Sequence, residues 1–228
     1  MKYVFIIVIG WMSLGLGFFP KKSEFDFDET TWVRHVTGVP GHTLDYKFPA
    51  NAWYLRPLLN EARFIDSEPT GGDWLPFVDI GYGYKKKGDG FPDFIITFNL
   101  HRFESPLKSS YSIDALGEYI EKNTRYIECP KTGERYYKGD KVTVKRIGAN
   151  TFVHLESKDM DKEKEIKVGA AIAFLTPTDH YYYVLDENHF LRFSFEYHDK
   201  KRLGTRWQRD MRRAAEAVMR NVSIIDLE

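Results

Sequence analysis

The residues best spaced to do chemistry are four arginines near the carboxyl end of the chain. At about 100° per residue, Arg206, Arg209, Arg213 and Arg220 fall on one side of a helix, and Lys200, Lys201 and Arg202 carry the positive run backwards. Guanidinium forks suit carboxylates and phosphates, so the stripe is a candidate surface for an acidic partner. Asp210 stands four residues from Arg206 and three from Arg213, and Glu216 four from Arg220. Such helix-surface pairs contribute only about 0.2–0.5 kcal/mol each, and they also give the stripe a plain solvated reading. Tyr181 and Tyr183 are the second candidate, as rings that can stack on a sugar or a partner; alternating strand tyrosines otherwise pack half in and half out.

Other reactive residues form no constellation. The seven histidines, at 35, 42, 101, 154, 180, 189 and 198, show neither the His-x-x-x-His spacing nor the glutamate-flanked pair of a zinc helix. His101 and His154 fall on separate strands, where convergence into a ligand pair is open but a hydrogen-bonded histidine is the default. Asp159, Asp161, Glu163 and Glu165 are interleaved with lysines and lack the glycine turn of a calcium loop. Cys129, the single cysteine, precedes Pro130 and has no catalytic context. There is no Gly-x-Ser-x-Gly elbow, and Gly81, Gly83, Gly88 and Gly90 open no helix that could cradle phosphate. The reading names no catalytic residue, metal site or cofactor, and it leans away from an enzyme.

The elements that must position these residues are mostly strands. Aromatics are abundant, with 17 Phe, 14 Tyr and 5 Trp, and they favour sheets and large buried areas. Leu44–Phe48 alternates and stops at Pro49. Trp74–Tyr84 and Phe94–Phe103 read as a hairpin; Phe94, Ile96, Phe98 and Leu100 share one face, with Thr97, Asn99 and His101 on the other. Ser112 caps a helix running to about Thr124, with Asp114 in its first turn. Lys141–Ile147 and Thr151–Ser157 form a second hairpin across Gly148-Ala149-Asn150, after which 158–165 is a solvated loop. Ile166–Leu175, Tyr181–Leu185 and Phe190–Tyr197 are apolar strands. Thr205 and Gln208 have capping-box spacing ahead of a helix whose Trp207, Met211, Ala214, Ala215, Val218 and Val222 share a face. The fold class is therefore α+β: an antiparallel sheet of about six or more strands flanked by helices, α/β/α sandwich-like.

Met1 and Lys2 are followed by an uncharged apolar run, Tyr3 to Phe19, and then by Pro20-Lys21-Lys22. That is the pattern of an export signal or a barely long enough membrane anchor. The expected organisation is a signal or anchor at 1–22, an extended lead-in at 23–43, and one α+β domain at 44–228. One thiol can form no internal disulfide, so the core alone must hold the fold. A formal net charge of zero offers no general pull towards nucleic acid.

The helix at 112–124, the hairpins after it, the strand pair Tyr181–Leu185 and Phe190–Tyr197, and the closing helix running into Asn221-Val-Ser-Ile-Ile225 resemble the PsbP/Mog1-like group, which includes exported DcrB-like proteins. Tyr46-Lys-Phe-Pro-Ala-Asn-Ala-Trp53 is also similar to that group's early strand. The segments 54–76 and 130–139 have no clear counterpart. The resemblance implies an antiparallel sheet between helices, serving as a non-enzymatic binding or assembly module, and it supplies no catalytic residues.

The functional expectation is a non-enzymatic bacterial envelope protein, periplasmic or anchored to the inner membrane facing the periplasm, that binds a protein partner. A toxin-neutralising immunity factor and an accessory factor are its two forms. An acidic partner would suit the arginines, nucleic acid is not expected, and membrane contact would come only through an uncleaved amino-terminal segment. The alternative is an envelope hydrolase or a carbohydrate-binding protein.

Overall fold

The computed structural model describes residues 31–50, 52, 54–55, 58–63, 74–82, 93–107, 112–123, 126–128, 135–137, 141–157, 178–198 and 204–227. The chain is α+β and mostly sheet. In chain order the strands are β1 (Trp32–Val39), β2 (His42–Pro49), β3 (Tyr54–Leu55), β4 (Trp74–Tyr82), β5 (Phe94–Arg102), β6 (Tyr126–Glu128), β7 (Arg135–Tyr137), β8 (Lys141–Ile147), β9 (Asn150–Ser157), β10 (Thr178–Val184), β11 (His189–Tyr197) and β12 (Ser223–Asp226). Helix α1 (Ile113–Asn123) lies between β5 and β6, and α2 (Arg206–Arg220) between β11 and β12. The main sheet has the order β3-β4-β5-β11-β10-β9-β8, a second sheet is β1-β2-β12, and β6 pairs with β7. The pairings between these strands are antiparallel.

Alternation along the strands gives the main sheet two dissimilar faces. On one, Phe98 meets Phe193 at 4.7 Å and Phe94 stacks on Tyr197 at 5.6 Å. Leu44, Tyr46 and Phe48 of β2 close over them, with Tyr46 and Phe48 at 5.5 and 5.3 Å from Phe98. Beside them lie Met211, Ala215, Val218 and Met219 of α2. On the other face, Leu116 and Ile120 of α1 pack on Val153, Leu155, Tyr182 and Phe190. Each fully buried large apolar side chain here contributes about 1.5–3 kcal/mol.

The two hairpins read in the sequence are present as β4–β5 and β8–β9. Ser112 caps α1, its Oγ accepting from Ala115 N at 3.2 Å. Every residue assigned to the apolar face of the closing helix is inside except Trp207, which is half-buried. Four details differ. The outer layer on the α2 side is not purely helical, because α2 shares that side of the main sheet with the three-stranded sheet. A strand already runs from Trp32, within the stretch taken as a lead-in, because Thr37 and Val39 point inward while Arg34 forks onto Asp45 (2.6–3.0 Å) on the outer surface. The turn that makes this hairpin is Pro40-Gly41, with Gly41 at φ 69°, where only glycine is unstrained. Residues 223–226, to which the sequence pattern assigns no element, form β12. Finally, Thr205 caps α2 without a side-chain hydrogen bond, and Gln208 Oε1 instead accepts from Gly204 N at 2.8 Å. The apolar run at 1–22, the strand read at 166–175, the acidic loop, Cys129, and Gly83, Gly88 and Gly90 lie outside the described residues.

Candidate functional site

Charge is concentrated under the first half of α2. Period-two alternation puts His154 and Glu156 of β9, Asp179 and Tyr181 of β10, and Tyr197 of β11 on the α2 side of the main sheet. The register then sets Asp179 opposite Glu156, and Tyr181 opposite His154. Asp179 Oδ1 accepts from His154 Nε2 at 2.9 Å, and Oδ2 accepts from the Tyr197 hydroxyl at 2.5 Å. Arg212 reaches down from α2, placing Nε 3.6 Å from Asp179 Oδ2 while its Nη2 donates to Glu156. A carboxylate only accepts, so the contact assigns the proton of His154 to Nε2. On its other side Nδ1 faces the Thr143 hydroxyl at 3.5 Å.

Burial and charge compete at Asp179. Burial pushes its carboxyl up, but hydrogen bonds from His154 and Tyr197 and the positive charge of Arg212 outweigh it. The group is held below the ordinary aspartate range. Tyr197 moves the other way, raised well above a normal phenol by burial and by the Asp179 charge. Tyr181, packed over His154 at 4.6 Å, is raised first by burial and then by Asp179. A histidine oriented by a carboxylate is half of a nucleophile-activating triad. Here, however, His154 and Asp179 side chains are only 4% and 6% exposed, and both carboxylate oxygens are already taken by His154 and Tyr197. The cluster fastens α2 to the sheet.

The arginines of the stripe lie on the outside of the same helix. Arg206, Arg213 and Arg220 have 72%, 80% and 67% of their side chains exposed. Their acidic neighbours are at the long end of ion-pair range: Asp210 at 3.6 Å from Arg206 and 3.7 Å from Arg213, and Glu216 at 3.7 Å from Arg220. Arg209 is exposed and has no acidic partner among the described residues. Arg212, which the stripe leaves out, is the helix's inward-facing cation.

The two tyrosines do not join the arginines. Tyr181 is 2% exposed, with Lys145 Nζ 5.7 Å above its ring, so the ring offers no stacking surface. Tyr183 is half-buried and lines an open groove of about 430 Å³ with His42, Asn150, Leu185 and Asp226. Across that groove His42 Nε2 contacts Asp226 at 2.9 Å while Nδ1 faces the Pro40 carbonyl at 2.8 Å. His101 stacks on Phe190 (4.8 Å) on the α1 side of the sheet, whereas His154 is on the α2 side, so the two cannot share a metal. Among the described residues no group of three or more His, Cys, Asp or Glu side chains could hold a metal ion.

Comparison with protein-family models, curated proteins and solved structures returned no match.

Proposed function

We propose that this chain is a non-enzymatic binding protein of the bacterial cell envelope whose protein partner docks on the outer face of α2. The observation that carries the reading is the disposition of that helix. Its inner face is held to the sheet by Met211, Ala215, Val218 and the Arg212 cluster, while Arg206, Arg209, Arg213 and Arg220 stand in solvent with Asp210 and Glu216 as partial counter-charges. From Arg206 to Arg220 the stripe runs roughly 21 Å at the helical rise. An anchored helix loses little freedom on binding, and its cations are available to forked contacts with an acidic surface. Export through residues 1–22 and the PsbP/Mog1-like outline support the envelope setting; a toxin-neutralising immunity factor or an assembly accessory fits both.

The test is a pull-down from an envelope fraction with the wild-type chain and the Arg206→Glu/Arg209→Glu/Arg213→Glu variant. The expected result is a stoichiometric partner held by the wild type, lost by the triple variant and released by moderate salt. Recovery of no stoichiometric partner, or of one that follows both forms equally, would overturn the reading.

A further inference from the structure

The α1 side of the main sheet carries a second polar patch, unrelated to the arginine stripe. Phe190 packs against α1, so Arg192 and Ser194, two and four residues further along β11, point the same way. Register sets Asn99 and Tyr182 on either side of Arg192, and Thr97 and His180 on either side of Ser194. These are two neighbouring rungs, Asn99–Arg192–Tyr182 and Thr97–Ser194–His180. Directly opposed residues in such rungs lie about 4.5–5.5 Å apart, so guanidinium, amide and hydroxyl share one small area.

The patch is underemployed for its burial. Asn99 is 2% exposed and Ser194 1%, yet among the described residues no hydrogen bond uses the Asn99 amide. Arg192 is half-buried, its Nε is buried and meets no acceptor, and no acidic side chain pairs with it among the described residues. An unsatisfied buried donor is costly, more so on a charged group. Within the second rung His180 Nδ1 and Ser194 Oγ are hydrogen-bonded at 2.9 Å. The nearest carboxylates along the sheet do not compensate Arg192. Asp79, opposite Thr97, is roughly 12 Å away by strand spacing and rise, and Glu196 is engaged by His198 at 2.9 Å.

We propose that Arg192 and Asn99 form a binding site for a carboxylate with an apolar or aromatic body. The Nε edge of a guanidinium matches the two oxygens of a carboxylate, and Asn99 supplies a further N–H donor. The apolar body is argued from the next rung, where Trp74 lies opposite His101 and His101 opposite Phe190. There His101 stacks on Phe190 at 4.8 Å, and Trp74 is 52% exposed. The site is independent of the partner proposed for α2.

Isothermal titration calorimetry on the full chain with benzoate, phenylacetate, acetate and inorganic phosphate tests this. The expected result is saturable binding of benzoate or phenylacetate, tighter than acetate or phosphate. Arg192→Lys should weaken it by about tenfold or more, and Asn99→Asp should abolish it through charge repulsion, with circular dichroism confirming that each variant is folded. If Arg192→Lys does not fold, Asn99→Leu, similar in size and without donors, takes its place with the same expected loss. Four outcomes overturn the proposal: no saturable heat with either aromatic acid, tighter binding of phosphate, acetate bound as tightly as the aromatic acids, or binding that survives these substitutions.

Discussion

At Asp179 burial and charge pull in opposite directions, and charge wins, holding the carboxyl below its ordinary value. The unfolded chain titrates near about 3.9. Between that value and the lower folded one, the unfolded state takes up a proton that the folded state refuses. The contribution is therefore fully present above about pH 5 and lost progressively as the pH falls through the folded value. Asp179→Asn should cost about 3–5 kcal/mol at neutral pH, because it strands Arg212 and His154 beside an uncharged amide. Urea titrations should show this as a lower midpoint, and the variant's stability should fall less steeply between pH 5 and pH 3 than that of the wild type. Tyr197→Phe removes a hydrogen bond to a charged acceptor and should cost about 1.5–3 kcal/mol in the same assay. Little of this cluster was legible beforehand. Its members lie 18, 25 and 56 residues apart in their pairwise contacts, and no local periodicity joins such positions. Arg212 is also easily passed over between Arg209 and Arg213, although one helical step turns it inward.

At the scale of elements, legibility followed the amount of side chain buried. Helix α2 and strands β5 and β11 bury a continuous apolar face, so their periods stood out. Strand β12 has one intermediate position among three exposed ones and is held mainly by backbone pairing to β2, which a hydrophobic pattern does not record. Strand β1 buries only Thr37 and Val39, its other residues being exposed or intermediate, and charged Arg34 disguised the rest. Turn chemistry read more reliably. Gly148, in the β8–β9 turn, has φ 62°, and a Cβ there would meet nothing closer than the Arg220 carbonyl oxygen at 3.9 Å. Gly148→Ala should therefore lose roughly 1–2 kcal/mol from backbone strain alone, visible as a lower thermal midpoint with an unchanged circular dichroism spectrum.

For the whole molecule, the order of strands matters more than their number. The centre of the main sheet joins β5 to β11, elements from opposite halves of the chain, and the second sheet joins β2 to β12. Folding must close these long loops before their contacts repay the entropy. Refolding from urea should accordingly fall in the millisecond-to-second range typical of sheet-dominated topologies; microsecond refolding in stopped-flow or temperature-jump work would contradict this. Removing residues 222–228 should be far more damaging than β12's exposure suggests. Val222 is 4% exposed in the core, and its carbonyl accepts from Asn150 Nδ2 at 2.9 Å, tying the helix exit to the β8–β9 turn. The truncated chain should lose cooperative unfolding in calorimetry.

The pairing of β12 with β2 also bears on how the protein is made. Strand β2 is synthesised early, yet its neighbour on one side does not exist until residues 223–226 have been translated. A growing polypeptide therefore presents an open sheet edge beside Leu44 and Tyr46, both fully buried in the finished molecule. The native state waits on the ribosome, and during that interval a holding chaperone would meet a chain that has not yet closed on itself.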